Sequence, residues 1–406
     1  VVAGRTAGGA AGAADKLTVG ASRRWAMLAA STLAQGAAAV MIHGPAFLIP
    51  TLHDREGLSL AQAGVVAAAP TVGVMLTLVL WGLVVDRRGE RFVLLVGLAA
   101  TAVVGALATF VGGTVLLALT LLLAGAAAAS TGSASGRVVV GWFPPERRGL
   151  AMGVRQMAQP AGVGIAAVSI AVVAERHGIA AALWVPTVAA ALAALLVAAV
   201  VVDPPRPAPG ADRTPNPYRA DSYLARIHGV SVLLVVPQFL VWTFAFAWLV
   251  QDRDWSAAAA GGLVAGAQVA GALGRIAAGW LSDVVGARLR PLRWVAVGAG
   301  VSMGVLGVAA GLDSAVAVPL VVLATVVTVA DNGLAFTAVA ERSGPSWSGR
   351  ALGTQNTAQY LAASAVPPVA GAMVAAWGYA AAFGLAALFP LLAAPLVPVR
   401  EEHELS

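Results

Sequence analysis

The chain runs to 406 residues, 59% of them hydrophobic and only 11% charged, with a formal net charge of +6 and no cysteine. A mean hydropathy of +0.84 excludes a water-soluble globule of this length. Without cysteine there are no disulfides and no thiolate metal sites, and without a basic soluble domain the positive charge is not a nucleic-acid footprint.

In chain order, residues 1–23 are rich in Ala and Gly with scattered charges, which predicts a mobile tail; they lack the compact apolar core of a signal peptide. Twelve apolar runs follow, each near the ~20 residues that a helix needs to cross a bilayer. They lie at 24–50, 59–84, 92–112, 114–142, 149–173, 178–202, 227–251, 256–282, 292–312, 315–340, 349–376 and 378–398. Alanine and glycine dominate them, as suits helices that must approach closely where lipid supplies no hydrophobic drive. No short alternating strands of a closed barrel are visible.

The first run carries Gln35 and His43-Gly44-Pro45 and is expected to break near Pro50. His43 is a candidate proton carrier, or else a packing group near the outer surface. The second run ends in the charged hairpin Gly82-Leu83-Val84-Val85-Asp86-Arg87-Arg88-Gly89-Glu90-Arg91. The fourth holds Ser130, Thr131, Ser133, Ser135 and Arg137. An intramembrane arginine faces a bundle interior or an aqueous cavity. Arg137 therefore either lines a substrate path or pairs with a hairpin acid such as Asp86 or Glu90.

The fifth run brings Arg155, Gln156 and Gln159, then Pro160, with Arg155 and Gln159 on one face at i, i+4 spacing. Residues 203–226, proline-rich and charged, form a linker between the bundles at 24–202 and 227–398, and 399–406 is a short tail. Past the linker come Gln238, Trp242, Arg275, the pair Asp331-Asn332, and Gln355, Asn356 and Gln359. A cation on one side and amides at matching positions on the other suit an off-centre site for an anionic solute. Amides that only knit helices together are the competing use. Asp331 is the only carboxylate deep inside a run. It is a proton-coupling candidate, or a permanent partner of Arg137, Arg155 or Arg275.

Much of this recurs. Gly279-Trp280-Leu281-Ser282-Asp283-Val284-Val285-Gly286-Ala287-Arg288 repeats the hairpin 197 residues on, with Ser59 falling on Ser256 and Gly64 on Gly261 at the same offset. Residues 149–159 and 349–359 match at an offset of 200. The pattern Gly82, Asp86, Arg87, Gly89, Arg91, echoed by Gly279, Asp283, Gly286, Arg288, resembles the major facilitator superfamily of secondary transporters. That family has a G-x-L-A-D-R-x-G-R-R-like loop between helices 2 and 3 and an echo between 8 and 9. Glu90 stands where a basic residue is usual, and Val284 holds the basic position of the echo. The resemblance covers 24–398, including the Phe143-Pro144-Pro145-Glu146-Arg147-Arg148-Gly149 connection.

The resemblance implies an all-α integral membrane fold of twelve helices in two pseudo-symmetric six-helix bundles. It also implies a gating latch at those hairpin residues. Asp86 would meet the start of helix 11 near Gly344 to Gly349, and Asp283 the start of helix 5 near Pro145 to Gly149, where unpaired N–H groups and the helix dipole favour a carboxylate. The element Pro160-x-Gly162 only partly resembles the G-P-x-x-G-G signature of the family's drug antiporters, since Gln159 precedes the proline and Val163 interrupts the glycine pair.

Basic residues set the expected orientation, because Lys and Arg collect on the cytoplasmic side. Of the 25, nineteen fall in segments that are cytoplasmic if both termini are inside, three in outer loops (Arg55, Arg176, Arg253) and three within helices. A multi-pass protein of the plasma (inner) membrane with both termini cytoplasmic is expected. Three intramembrane arginines against one acid favour an organic anion or carboxylate as the small-molecule substrate, moved by proton-coupled alternating access. Substrate candidates are Arg137, Arg155, Gln156, Gln159, Asn332, Gln355, Asn356 and Gln359; Asp331 and His43 are the proton-coupling candidates. The expected partners are the lipid bilayer and a proton or counter-solute. No cofactor is expected, and ATP drive is not, because no P-loop precedes the sole lysine, Lys16. Alternatives are a proton-coupled antiporter for drugs or other hydrophobic compounds, and a membrane sensor or scaffold on a transporter fold. Five scattered histidines give no convergent ligand set, so neither a metal site nor an enzyme is expected.

Overall fold

The computed structural model describes residues 19–204 and 215–402. Most of the predicted tail at 1–23, the middle of the linker at 203–226 and the end of the tail at 399–406 lie outside the described residues. The first half consists of α1 (Ala21–His43), a 3-10 turn (Gly44–Leu48), α2 (Ile49–Asp54), α3 (Leu60–Arg88), α4 (Glu90–Ala108), α5 (Thr114–Ala128), α6 (Ser130–Trp142), α7 (Pro145–Gln156), α8 (Ala158–His177) and α9 (Ile179–Val200). After a short α10 (Pro217–Ala220) the second half runs through α11 (Tyr223–Gln251), α12 (Ala257–Val285), α13 (Leu289–Gly311), α14 (Ala317–Thr328), α15 (Asp331–Ser343), α16 (Ser348–Ala386) and α17 (Leu388–Leu396). The fold is all-α, in two pseudo-symmetric halves. Among the described residues, ten spans are long and apolar enough to cross a bilayer. The last of these, Ser348–Glu401, is interrupted at Gly378, whose φ of 79° is not helical.

Local chemistry explains the element ends. Ser59 accepts from the Gln62 N–H while the Gln62 side chain accepts from the Ser59 N–H, a reciprocal cap that starts α3. Its repeat mate Ser256 caps α12 through the Ala259 N–H. Gly89, with φ 100°, turns α3 into α4 in a single residue, a conformation that a Cβ would oppose.

Five expected helices differ in outline. The first breaks at the 3-10 turn Gly44–Leu48 and not near Pro50, because a proline in the first turn of a helix, as Pro50 is in α2, removes no helical bond. The fourth is interrupted at Ala129, the fifth at Met157, the tenth at Val329–Ala330 and the twelfth at Ala387. At the fifth, Pro160 has no N–H, so the carbonyl of Gln156, four residues earlier, loses its helical partner.

The apolar residues divide into clusters whose membership tells where the halves meet. At the end that carries both hairpins, one cluster joins Val85, Val138 and Met152 of the first half to Leu334, Ala338 and Leu352 of the second. At the opposite end each half keeps its own: Leu48, Leu117 and Ile170 in one, Trp248, Met303 and Phe383 in the other. The molecule is sealed at the hairpin end by a shared core and carries two separate cores at the far end. Large apolar side chains such as Val168 and Leu195, 74% and 68% exposed, cover the outside, the surface that a bilayer would wet.

Glycines allow the seal to be this close. A Cβ on Gly82 would collide with the backbone of Gly349 and Arg350, and one on Gly279 with the backbone of Gly149. One turn further in, a Cβ on Gly353 would stand 2.6 Å from the Leu78 carbonyl oxygen, and one on Gly153 2.6 Å from the Arg275 carbonyl oxygen. The α3–α16 and α12–α7 crossings are thus repeats of one another, with small residues at the contact.

Candidate functional site

Two carboxylates close the hairpin end, each on the helix start of the other half. Asp86, at the end of α3, accepts from the N–H groups of Gly349 (2.8 Å) and Arg350 (3.1 Å) at the start of α16, and from Arg350 Nε (2.9 Å). Asp283, at the end of α12, accepts from the N–H groups of Gly149 (2.9 Å) and Leu150 (2.8 Å) in the first turns of α7. Asp86 meets backbone donors that α16 cannot satisfy internally, Asp283 meets the N–H groups of the fifth and sixth residues of α7, and both sit near the positive end of a helix dipole.

The neighbouring cations hold each carboxylate in place. Arg137 donates Nη1 to Asp86 and Nε to Glu90, both at 2.7 Å. It belongs to this cluster and does not line the cavity described below. Arg288 pairs with Asp283 at 2.6 Å, reaches Glu341 at 3.4 Å and donates to the Pro145 carbonyl. Arg91 ties the first hairpin to the end of its own half, its N–H on Asp203 and its Nη2 on the Ala198 carbonyl, both 2.8 Å. Arg87 is exposed at the end of α3, and Gly286, with φ 66°, ends α12.

Above this seal lies a cavity lined from both halves. His43, Gln35, Thr131, Gln156 and Gln159 come from the first half; Gln238, Phe239, Arg275, Asn332, Phe336, Asn356, Gln359 and Tyr360 come from the second. The bends at Ala129, Met157 and Val329–Ala330 all fall at this level, within three residues of Thr131, Gln156 and Asn332. Arg275 is the one arginine among the described lining residues. Its Nη1 donates at 2.7 Å to the Gln156 carbonyl that Pro160 leaves free, a bond between halves, and its Nε has no partner among the described residues. Asp331, 1% exposed at the first position of α15, interacts electrostatically with Arg275, and its carboxylate has no side-chain hydrogen-bond partner among the described residues.

The Major Facilitator Superfamily model matches residues 25–367. The chain belongs to the major facilitator superfamily. Two uncharacterized MFS-type transporters of Mycobacterium tuberculosis are 44% and 43% identical to it over 384 residues, which is 94% of this chain and 86% of each relative. Among solved structures, the Escherichia coli fucose:proton symporter FucP superposes with a TM-score of 0.74 at 16% identity, over 93% of this chain and 98% of FucP. The proton:xylose symporter XylE gives 0.73 at 14% identity (93% and 95% covered), and the human organic anion transporter MFSD10 gives 0.71 at 17% (92% and 99%). At these identities the structures show a shared fold.

Within this superfamily fold the sequence-derived candidates separate. Gln156, Gln159, Asn332, Asn356 and Gln359 line the cavity, with His43 3.5 Å from the Gln159 amide. Asn332 donates to Gln238 and accepts from Gln359, both at 3.1 Å. Arg155 is placed differently from the expectation. It is 1% exposed beneath the cavity, donating to Ser135 Oγ (2.8 Å), the Gly132 carbonyl (2.8 Å) and Gln156 Oε1 (3.0 Å), with Phe336 5.5 Å from its guanidinium carbon. Gln355 also lies off the cavity, bonded to Ser231 and His228. Sequence reasoning treated Arg275 only as an ion-pair partner and gave Gln35 and Gln238 no role in the site. The signal available was an arginine inside an apolar run, since such a cation faces a bundle interior or an aqueous cavity.

Proposed function

We propose that the chain is a secondary active transporter for a small organic anion, most simply a carboxylate, working by proton-coupled alternating access. Residues 24–202 and 227–398 are the two bundles, crossing the plasma membrane twelve times in all, and 203–226 is the tether about which they rock. With both termini cytoplasmic, the sealed hairpin end faces the cytoplasm and the cavity is served from outside. Support comes from one observation above all: a cavity between the halves holds one arginine and seven amides and sits over two mirrored carboxylate caps. Each cap joins the halves through hydrogen bonds that must break before the hairpin end can open.

Arg275 takes the anchoring role that the sequence gave to Arg155, because its guanidinium reaches the cavity. Asp331 supplies the coupling. As a carboxylate it neutralises Arg275; once protonated it leaves that charge for the carboxylate of the solute. His43, beside Gln159 at the far end of the cavity, is a second protonation site on the path.

The test is reconstitution into liposomes with carboxylates, neutral sugars, amino acids and cationic dyes, with and without a pH gradient. Carboxylate accumulation driven by the gradient, lost in Arg275→Gln and uncoupled from pH in Asp331→Asn, is expected. Movement of cationic dyes with no carboxylate flux would overturn the proposal in favour of drug efflux.

A further inference from the structure

The amides of the cavity carry more information than its charge. Every side-chain amide has a donor end and an acceptor end, and several here use only one within the chain. Gln156 accepts from Arg155 at 3.0 Å, and among the described residues its NH2 group has no protein partner; the Gln35 amide has one partner, Ser135 Oγ at 2.8 Å, a hydroxyl whose single hydrogen also faces the Thr131 carbonyl, and its other end is spare. Asn356 donates to the Leu352 carbonyl at 2.9 Å and Gln359 donates to Asn332 at 3.1 Å, which leaves their oxygens without one. All four line the cavity. The first-half wall therefore offers the spare Gln156 donor and one free end of Gln35, and the second-half wall offers spare acceptors beside Arg275.

A plain carboxylate matches only part of this. Its oxygens satisfy Arg275 and the spare Gln156 NH2 group, but they set negative charge against the Asn356 and Gln359 oxygens and donate nothing to them. An ammonium group would satisfy those oxygens and be repelled by Arg275. A hydroxyl donates and accepts at once, so it can bridge a spare NH2 on one wall to a spare oxygen on the other. Phe239, Phe336 and Tyr360 complete the lining with apolar faces, against which the C–H side of a hydroxylated chain can lie.

We infer that the solute is a polyhydroxylated monocarboxylate, of the sugar-acid class, its carboxylate on Arg275 and its hydroxyls shared between Gln35 and Gln156 on one wall and Asn356 and Gln359 on the other. The inference rests on the anion-transporter reading above and narrows it. Bridging hydroxyls also give the solute contacts with both halves, so it favours the arrangement in which the walls are close and couples its own binding to their approach. Hydroxyl-reading sites discriminate strongly, because an analogue lacking the hydroxyl leaves buried polar groups unpaired, each worth roughly tenfold in binding.

The test is equilibrium binding to the full-length protein in lipid nanodiscs with three probes of equal chain length: gluconate, hexanoate and sorbitol. Gluconate is expected to bind at least ~30-fold more tightly than either of the others. Asn356→Leu should remove most of its advantage over hexanoate, and Arg275→Gln its advantage over sorbitol. The unfolding midpoint of each variant checks that the fold survives. Hexanoate binding as tightly as gluconate would overturn the hydroxyl assignment and leave the anion transporter standing. Sorbitol binding as tightly as gluconate would overturn the anion reading itself. Binding of none of the three overturns the sugar-acid assignment, and binding of a cationic dye in their place overturns both.

Discussion

The Asp86 cap offers the sharpest perturbation. In Asp86→Asn the side chain keeps its shape and one acceptor oxygen, but it presents an NH2 group where a second N–H already points and it loses its charge. Three bonds cross between the halves here, from the N–H groups of Gly349 and Arg350 and from Arg350 Nε. A hydrogen bond to a charged group contributes about 1.5–3 kcal/mol. The Arg350 side chain is 27% exposed, so its share is discounted for solvent. Arg137 keeps Glu90 as a partner at 2.7 Å and is not stranded. The net loss of closure is ~2 kcal/mol, which at about 1.4 kcal/mol per tenfold is a ~30-fold rise in the hairpin-open population. Because the chain has no cysteine, a single introduced thiol reports without background. Ala338→Cys, 2% exposed in the core shared by the two halves, should react with a hydrophilic maleimide only when that end parts. Its labelling rate should rise ~30-fold in Asp86→Asn. A rate within about twofold of the unsubstituted cap would refute the reasoning, since the bonds would then contribute nothing to closure.

Other outcomes follow from the same geometry. Gly353→Val sets a branched side chain where even a Cβ would be 2.6 Å from the Leu78 carbonyl oxygen; overpacking of ~1–3 kcal/mol should raise the same labelling rate about tenfold, and Gly153→Val should do likewise at the mirrored crossing. Arg155→Gln strands the Gly132 carbonyl, Ser135 and Gln156, so stability should fall by about 3 kcal/mol in denaturant titration while carboxylate binding by the folded fraction changes little. Asp221 joins the linker to α15 through Arg342. Partial burial works against its carboxylate, yet the Tyr223 N–H and the Arg342 guanidinium outweigh that and hold its pKa below the ordinary carboxylate value. A carboxyl depressed on folding stabilises above its unfolded pKa and loses that contribution as the pH falls through its folded pKa. Asp221→Asn should therefore lower the unfolding midpoint at pH 7, by no more than ~1 kcal/mol for so exposed a pair, and the difference should vanish once the pH is below the folded pKa.

The fold and its seals were legible because repetition is visible without coordinates. The 197- and 200-residue offsets pair Gly82 with Gly279 and Gly149 with Gly349, and the structure sets the first of each pair against the second of the other. Serine caps and a one-residue glycine turn are equally local and equally readable; prolines are less so, since Pro50 sits in the first turn of α2 and breaks nothing. The cavity was legible only in part. Whether an arginine on a polar helix face reaches the cavity or lies beneath it depends on how that helix packs against helices remote in sequence; Pro160 announces the break at Met157, but no proline or glycine stands at the breaks at Ala129 and Val329–Ala330. Arg155 was the conspicuous cation, two turns into a motif, yet the Gly132 carbonyl, Ser135 and Gln156 occupy its donors. Arg275 was inconspicuous because its partner, the Gln156 carbonyl, is a backbone atom freed by a proline in the other half.

The central claim is that two halves rock about a shared cavity, so that closing one end opens the other. Spin-label distances in nanodiscs test it most directly, with one pair across the hairpin end (Arg88→Cys with Arg290→Cys) and one across the far end (Glu56→Cys with Ala315→Cys), all four at exposed positions. Gluconate addition and a change of pH are expected to shift the two distance distributions in opposite directions, one lengthening as the other shortens. Distances that move together at both ends, or stay fixed at both while the protein transports, would contradict the account.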